Sequence, residues 1–375
     1  MAQPALPCIL GVWVTPAFCI LTVIALLSTL VPFLQELASH GKTRVATTTS
    51  AEEKDKSKWW HALLWINKRY FLHFYIIGLL SLGFFVWSQP QQEQHGKDGG
   101  VVVVWLLALH LVRRCYECLA VHCYSQNSQM HVAGYICGIF HYTFLPYVLL
   151  DIRCDIGSAK NAVSYNPQRS STGLEIDDKI YMLTQTIFVL LCLWGQYEQY
   201  HHHVLLSSLR QSPESTTTTT KTPAAMRIGH HKIPQGRWFV HVSCPHYLAE
   251  IIIYVALCAI MMMMQVYHPS GKPTDMSHIR CGEDATTDFC TTHATFPWVD
   301  AIPPFGRWLG PPLDNHQNKL VVTFLLAIRR HRHVVLLVWV ASNLTVTALR
   351  SHRWYHQRFP SYHLFQRKAI VPFIL

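Results

Sequence analysis

The stretch from residue 247 to residue 267, YLAEIIIYVALCAIMMMMQVY, decides the fold. Glu250 is its only charged residue, and the rest is long and apolar enough to cross about 30 Å of hydrocarbon as a helix. A carboxylate inside a membrane is costly unless it is paired or functional. The stretch therefore predicts a transmembrane helix with a paired or functional acid one turn from its start.

The whole chain has the composition of a membrane protein. Its 375 residues are 50% hydrophobic and 14% charged, whereas about a quarter charged is usual for a soluble protein. The formal net charge is +10. In a membrane protein such an excess of Lys and Arg is typical of the cytoplasmic loops, so it does not indicate nucleic-acid binding, which is disfavoured. No polar segment is long enough for a separate soluble catalytic domain, and any chemistry must lie among the helices and their loops.

Six further apolar windows cover residues 6–34, 69–87, 101–124, 130–150, 180–200 and 334–349. Together with residues 247–267 they predict an all-α integral membrane protein with seven transmembrane helices. The third and fifth windows are the weakest, because each ends in polar residues that must face protein or water. These residues are Arg113, Arg114 and Glu117, and Gln196, Glu198 and Gln199. Six spans are the alternative.

Loop charges predict the orientation, because Lys and Arg accumulate on the cytoplasmic side. Residues 40–68 carry six basic side chains, whereas residues 88–100 carry only Lys97. The 207–240 loop and the C-terminal tail are also basic. A luminal N-terminus and a cytosolic C-terminus fit these biases.

Three segments are predicted to lie outside the bundle. Residues 47–58 and 212–222 have the composition of disordered spacers. Residues 268–318 form an insertion on the predicted luminal side, where Cys281 and Cys290 could form a disulfide.

Histidines 201, 202 and 203 suggest a metal site, but their spacing argues against one. Adjacent residues on a helix point about 100° apart, so three neighbouring imidazoles do not converge on one ion. The sequence predicts no metal site.

Cationic and hydrogen-bonding residues crowd the predicted cytoplasmic ends of the last three spans. Such a set, with the acid Glu250 beside it, favours a phosphate-rich cofactor held between helix ends. Its members are Gln199, His203, Arg210, Lys232, Arg237, His246, Glu250, His352, Arg353, Tyr355, Arg358, Arg367 and Lys368.

Some of these residues lie in motifs that resemble the C-terminal domain of the steroid 5α-reductase family. The motifs are IPQG at 233–236, VSCPHYLAE at 242–250 and RKAIVPF at 367–373. Other segments look closer to the polyprenol reductase branch of that family: QEL at 35–37, GKT at 41–43, KRYFLHFY at 68–75 and RRCYECL at 113–119.

The resemblance implies a seven-span enzyme of the endoplasmic reticulum membrane. It would use NADPH to saturate the α-isoprene unit of a polyprenol-derived lipid on the route to dolichol, which supports protein N-glycosylation. The implied domains are a five-helix membrane region with a lipid pocket at 1–200 and the family's C-terminal domain at 201–375, interrupted by the 268–318 insertion. The implied cofactor contacts are Gln199, His203, Arg210, Lys232, His246, Glu250, His352, Tyr355, Arg367 and Lys368.

The chain departs from the family pattern at three places. His246 stands where many relatives have Asn, the segment 362–367 is one residue longer, and the 268–318 insertion has no counterpart. The carbonyl-polarising Tyr of the steroid branch falls near Leu111, which disfavours steroid substrates.

The chemistry favours an aldehyde substrate, polyprenal, because hydride adds readily to an alkene conjugated with a carbonyl. The enzyme must then stabilise an enolate oxygen with a hydrogen-bond donor. The candidates are His73, Tyr75 and Tyr116, with Glu117 orienting one of them.

Other activities stay open at this point. A steroid or enoyl-CoA reductase would share the cofactor and differ in the lipid. An isoprenylcysteine-type methyltransferase would carry paired glutamates after a His-Arg pair, whereas His352 and Arg353 are followed by Trp354 and Tyr355. A transporter would show internal repeats, and the sequence has none.

Overall fold

The computed structural model describes residues 6–31, 64–88, 98–124, 128–150, 171–210, 227–228, 231–266 and 331–374. These residues form seven α-helices, one at each predicted span. The helices are α1 Leu6–Leu27, α2 Phe71–Trp87, α3 Asp98–Tyr116, α4 Val132–Leu149, α5 Ser171–Ser208, α6 Pro245–Val266 and α7 Arg332–Arg358. The segments 47–58, 212–222 and 268–318, with Cys281 and Cys290, lie outside the described residues.

Five of these helices contain a stretch long and apolar enough to cross a membrane. The stretches are Lys68–Trp87, Val132–Leu149, Lys179–Ser208, Pro245–Met264 and Arg332–Arg358. The mostly helical architecture and its membrane character are thus confirmed, while α1 and α3 as the sixth and seventh spans stay a prediction.

Short strands support the helix starts. Strand β1 (Trp65–Asn67) pairs antiparallel with β2 (Gln129–His131), just before α2 and α4 begin. The His131 ring nitrogen accepts from the Ala133 amide at 3.1 Å and caps α4. Strands β3 (Arg227–Ile228) and β4 (His231–Lys232) form a second antiparallel pair ahead of α6.

Two glycines allow helices to pack closely. A Cβ on Gly195 of α5 would lie 3.0 Å from the Ile253 side chain and 3.3 Å from the Ala249 carbonyl oxygen of α6. A Cβ on Gly138 of α4 would lie 2.6 Å from the Phe74 ring of α2. The close packing of α5 against α6 and of α2 against α4 therefore requires glycine at these two positions, because a larger residue would collide with the neighbouring helix.

One apolar core runs through the bundle, from Val14 on α1 to Val340 on α7. It joins residues on both sides of position 200, so helices of the two predicted domains share it. The division into 1–200 and 201–375 stays a prediction.

The polar ends of the third and fifth helices face protein. Glu117 and Gln199 are 0% and 2% exposed, and Arg114, Gln196 and Glu198 are also buried. Arg114, Glu117 and Gln199 meet inside the bundle, where they belong to the candidate site, whereas Glu198 forms an ion pair with Arg237.

Candidate active site

A buried carboxylate at the end of α3 lies between two guanidinium groups. Arg113 and Arg114 both donate to Glu117, from positions one helical turn before it. The helix changes to a π-helical turn at Glu117–Val121, a local form that is frequent at functional sites. Removing one partner from such a group leaves an unpaired buried charge, which costs about 3–5 kcal/mol.

Residues from α2 and α5 complete this cluster. Arg114 donates to the Tyr75 hydroxyl from Nε at 3.1 Å and from Nη2 at 2.5 Å. Nδ1 of His203 lies 2.8 Å from Arg114 Nη1 and 2.8 Å from Glu117 Oε2. That nitrogen accepts from the guanidinium when it carries no proton and donates to the carboxylate when it carries one.

Gln199 connects the cluster to Glu250 on α6. Its side-chain oxygen accepts from Arg113 and its side-chain nitrogen donates to Glu250, which fixes the orientation of the amide. Nε2 of His110 lies 3.3 Å from Glu250 Oε1, without hydrogen-bond geometry. Glu117 thus contacts both guanidinium groups directly, whereas Glu250 is connected to Arg113 only through the Gln199 amide.

The C-terminal segment, residues 359–374, is bound to the residues that lead into α6. The Ser243 amide donates to the Lys368 carbonyl at 2.8 Å, and the Cys244 amide donates to the Ala369 carbonyl at 3.1 Å. The Ser243 hydroxyl lies 2.6 Å from both His352 Nδ1 and the Tyr362 hydroxyl. Two of the motif segments are therefore in direct contact.

Aromatic and cationic side chains line this C-terminal segment. Tyr355 stacks on Tyr362 with ring centroids 5.1 Å apart, and burial raises the pKa of Tyr362 to about 12. Arg367 donates to the Pro234 carbonyl and to the Gln235 side chain at 2.8 Å each. Burial lowers the pKa of Arg367.

The predicted cofactor residues thus form two groups. Gln199, His203 and Glu250 belong to the buried cluster, and the His246 ring lies 5.6 Å from that of His203. His352 and Tyr355 at the end of α7 lie beside the C-terminal segment, which carries Arg367 and Lys368. Arg210 donates to the Cys123 carbonyl at 2.7 Å, and Lys232 lies on β4.

The four predicted catalytic residues separate in the structure. Tyr75 and Glu117 lie in the cluster, joined through Arg114. The exposed His73 pairs instead with the Tyr135 hydroxyl at 2.8 Å, and Tyr116 is 53% exposed. The structure does not bring these two residues to the buried cluster.

Several residues of the cluster were not predicted as site residues, among them Arg113, Arg114 and His110. The signal was present in the sequence: His110, Arg113, Arg114 and Glu117 recur at three- or four-residue spacing, so one face of an apolar helix is polar.

Glu117, His122 and His203 place ligand atoms within 4.8 Å of one another. A cation at this position would face the guanidinium groups of Arg113 and Arg114, which already neutralise Glu117. Electrostatic repulsion therefore disfavours a metal there.

A cavity of about 470 Å³ opens beside the cluster. Its lining combines apolar side chains with one cation and several weakly polar groups: Arg69, Leu72, Cys118, Leu119, His122, Cys123 and Tyr124.

Comparison with known proteins matches two of these regions to one family. A family model described as 3-oxo-5-alpha-steroid 4-dehydrogenase matches residues 171–268 and 320–375. The resemblance to the steroid 5α-reductase family is confirmed. The matched residues include α5, α6 and α7 with the C-terminal segment, and the gap between them contains most of the predicted insertion.

Individual relatives share a more specific name. Polyprenal reductase 1 of Oryza sativa subsp. indica is 24% identical, with 91% of this chain and 88% of the relative covered. Polyprenal reductase of Xenopus laevis is 26% identical over 63% of this chain and 73% of the relative. The Homo sapiens polyprenal reductase is 29% identical over 51% of this chain and 62% of the relative.

The chain is therefore a multi-pass membrane protein related to reductases that take a nicotinamide cofactor.

Proposed function

We propose that this protein reduces the α,β double bond of polyprenal with NADPH, a step on the route to dolichol that supports protein N-glycosylation. One observation carries the proposal: relatives named polyprenal reductase match the chain, one of them over nine tenths of its length. The buried cluster and the bound C-terminal segment supply the site for this activity. The same architecture supports an isoprenoid lipid as the substrate.

The residues present fit a phosphate-bearing nucleotide. Among the described residues, Arg210, Lys232, Arg367 and Lys368 have no carboxylate within ion-pair distance, and Nε of Arg367 has no hydrogen-bond partner. Cations without acid partners are suited to hold phosphate groups. Glu250 and Gln199 supply an acceptor and an amide for the nicotinamide end. When bound, the cofactor supplies the hydride.

The substrate's carbonyl oxygen gains negative charge as the β-carbon is reduced, and Tyr75 is placed to stabilise it. Arg114 donates twice to the Tyr75 oxygen, so the hydroxyl hydrogen remains for another acceptor. No described residue accepts that hydrogen. A tyrosine backed by a cation is a strong hydrogen-bond donor. Glu117 holds Arg114 in this role, and both belong to the proposed machinery.

The surroundings suit a long isoprenoid. Leu80, Trp105, Leu119 and Leu190 are all at least 60% exposed on helix surfaces, as expected for side chains that contact lipid. The isoprenoid tail would stay in the bilayer while its head enters the bundle. We place the protein in the endoplasmic reticulum membrane, with seven spans, a luminal N-terminus and a cytosolic C-terminus.

Incubation of membranes containing the protein with NADPH and one lipid at a time tests the proposal. The lipids are polyprenal, polyprenol and a 3-oxo-4-ene steroid, the last because the family model is named for a steroid activity. Mass spectrometry should show a gain of two hydrogens on polyprenal. A gain on the steroid alone would contradict the substrate, and replacement of NADPH by NADH without loss of rate would contradict the cofactor.

A further inference from the structure

A second polar chain joins three helices in the core. The indole nitrogen of Trp339 on α7 donates to Nδ1 of His141 on α4 at 3.1 Å. Nε2 of His141 lies 2.9 Å from the hydroxyl of Tyr254 on α6. The exposed fractions of Trp339, His141 and Tyr254 are 4%, 9% and 2%. Polar groups buried among transmembrane helices are costly and often functional.

The indole fixes the direction of this chain. Because an indole N–H can only donate, Nδ1 of His141 must accept, and the imidazole proton sits on Nε2. A doubly protonated ring is excluded, since both of its nitrogens would donate. Nε2–H therefore donates to the oxygen of Tyr254, which leaves the tyrosine's own hydrogen to donate elsewhere.

That hydrogen has no acceptor in the described part of the chain, where His141 is the one hydrogen-bond partner of the Tyr254 hydroxyl. Buried polar hydrogens without a partner are rare in folded proteins. Tyr75 is in the same state, with its oxygen bonded by Arg114 and no acceptor for its hydrogen among the residues that the structure describes. Two buried tyrosines thus each present an unused donor.

The two tyrosines lie in one region of the core. The ring of Tyr142 contacts Tyr75 with centroids 5.0 Å apart and His141 with centroids 4.9 Å apart. Tyr254 follows Glu250 by one turn of α6, so both residues lie on one face of that helix. The His110 ring, which reaches Glu250, lies 6.4 Å from the Tyr254 ring. Tyr254 is therefore close to the proposed nicotinamide contact.

We propose that Tyr254 is a second catalytic residue, which donates a hydrogen bond to the carbonyl oxygen of an α,β-unsaturated aldehyde. His141 and Trp339 are positioning residues that aim its hydrogen. This inference rests on the proposed function. Addition of the hydride that the bound cofactor would supply forms a C–H bond at the β-carbon and moves the electron pair of the broken π bond towards the carbonyl oxygen, and Tyr75 and Tyr254 together form an oxyanion hole for it. The enolate would then take a proton from water at the α-carbon, which completes the gain of two hydrogens. Neither tyrosine needs to transfer its proton.

The first test is Tyr254→Phe, assayed in membranes with polyprenal and NADPH. Loss of one oxyanion-hole donor lowers kcat about 100-fold, and KM and NADPH binding should stay near the wild-type values. Tyr147→Phe is the matched control, because it removes a hydroxyl from another buried core tyrosine, 6% exposed. A wild-type protein that fails to reduce polyprenal would contradict the proposed function. Wild-type activity with kcat unchanged in Tyr254→Phe would contradict the role of Tyr254 alone.

An inhibitor gives a readout that is independent of turnover. A polyprenoic acid carries charge on oxygen where the enolate develops it, so it should bind the wild-type protein and bind Tyr254→Phe at least about tenfold less tightly. Equal affinity for both proteins would count against the donor.

Trp339→Phe tests the positioning role and retains most of the buried area. Without the indole donor, Nε2 of His141 is free to accept from Tyr254 and capture its hydrogen, so kcat should fall. If Trp339 acts through Tyr254, the double variant should be no slower than Tyr254→Phe alone, because the effects are not additive. Multiplied losses in kcat would indicate a helix clamp and overturn the proposal. Should Tyr254→Phe fail to fold, an unchanged kcat in Trp339→Phe would have the same consequence.

Discussion

At the scale of single residues, the site depends on buried charges that compensate one another. Arg113 and Arg114 face Glu117, and Arg113 reaches Glu250 through the amide of Gln199. A charged side chain that is paired in this way is held in one conformation, since its hydrogen bonds to the partner are lost in other rotamers. The pairing leaves the Tyr75 hydrogen as a donor that points away from the charges.

Tyr75→Phe should lower kcat for polyprenal about 100-fold, because one donor to the developing oxyanion is lost. KM should change much less, since the hydroxyl contributes mainly when charge develops. Steady-state kinetics in membranes measures both constants, with Tyr147→Phe as the control for the loss of a core hydroxyl. Unchanged turnover in Tyr75→Phe, together with a large loss in a His73 or Tyr116 variant, would transfer the donor role to one of those residues.

The Ser243 hydroxyl binds the C-terminal segment, and its removal should weaken the binding of NADPH. Ser243→Ala removes the hydroxyl that contacts His352, Tyr362 and the Lys368 carbonyl. We expect the Kd for NADPH to rise about tenfold, because one lost buried hydrogen-bond centre costs about 1–3 kcal/mol. Quenching of tryptophan fluorescence measures this Kd. Ser208→Ala is the control, since among the described residues that exposed hydroxyl donates to the Leu205 carbonyl of its own helix and to nothing else. Equal affinities in both variants would remove Ser243 from the cofactor site.

At the scale of the helices, the sequence predicted position better than extent. Apolar windows locate the part of a helix that lies in hydrocarbon, so residues 180–200 and 334–349 were assigned to helices that extend to Ser208 and Arg358. The additional turns carry His203, His352 and Tyr355. These polar turns could not be found from hydrophobicity, whereas motif resemblance did find their residues.

The contacts between helices were beyond prediction from one sequence. His141 and Trp339 are nearly 200 positions apart along the chain, and nothing in their local sequence indicates that they meet. The same holds for Gln199 and Glu250, whose contact needs the close α5–α6 packing at Gly195. Sequence thus predicted the residue types of the site and the motif segments, but not the polar chains that orient them.

Gly138 offers a test of helix packing. In Gly138→Ala the new methyl group would meet the Phe74 ring, so α2 and α4 must separate, at a cost of about 1–3 kcal/mol. Gly134→Ala on the same helix has open space around its Cβ and should be neutral or stabilising by up to about 1 kcal/mol. Thermal unfolding of the two purified variants compares them. A Tm for Gly138→Ala equal to that of Gly134→Ala would show that this contact does not limit the packing.

At the scale of the whole molecule, the outer surface and the distribution of charged residues both indicate a membrane protein. Large apolar side chains face outward on helix surfaces, while charged residues such as Arg113 with Glu117 and Arg237 with Glu198 form ion pairs within the protein. The basic loop residues follow an alternating pattern along the chain. Part of the net charge of +10 is thus explained by membrane orientation, and part by cations suited to hold a nucleotide.

The orientation itself is the last prediction. The cations that we propose to bind phosphate lie near the C-terminal ends of α5 and α7 and before the start of α6, so a cytosolic cofactor requires this side of the bundle to face the cytosol. Basic flanking residues favour the same orientation. In sealed microsomes, a protease added outside should remove a tag from the C-terminus and leave an N-terminal tag intact. If the C-terminal tag were protected until detergent is added, the charge argument and the cytosolic placement of the cofactor site would both be wrong.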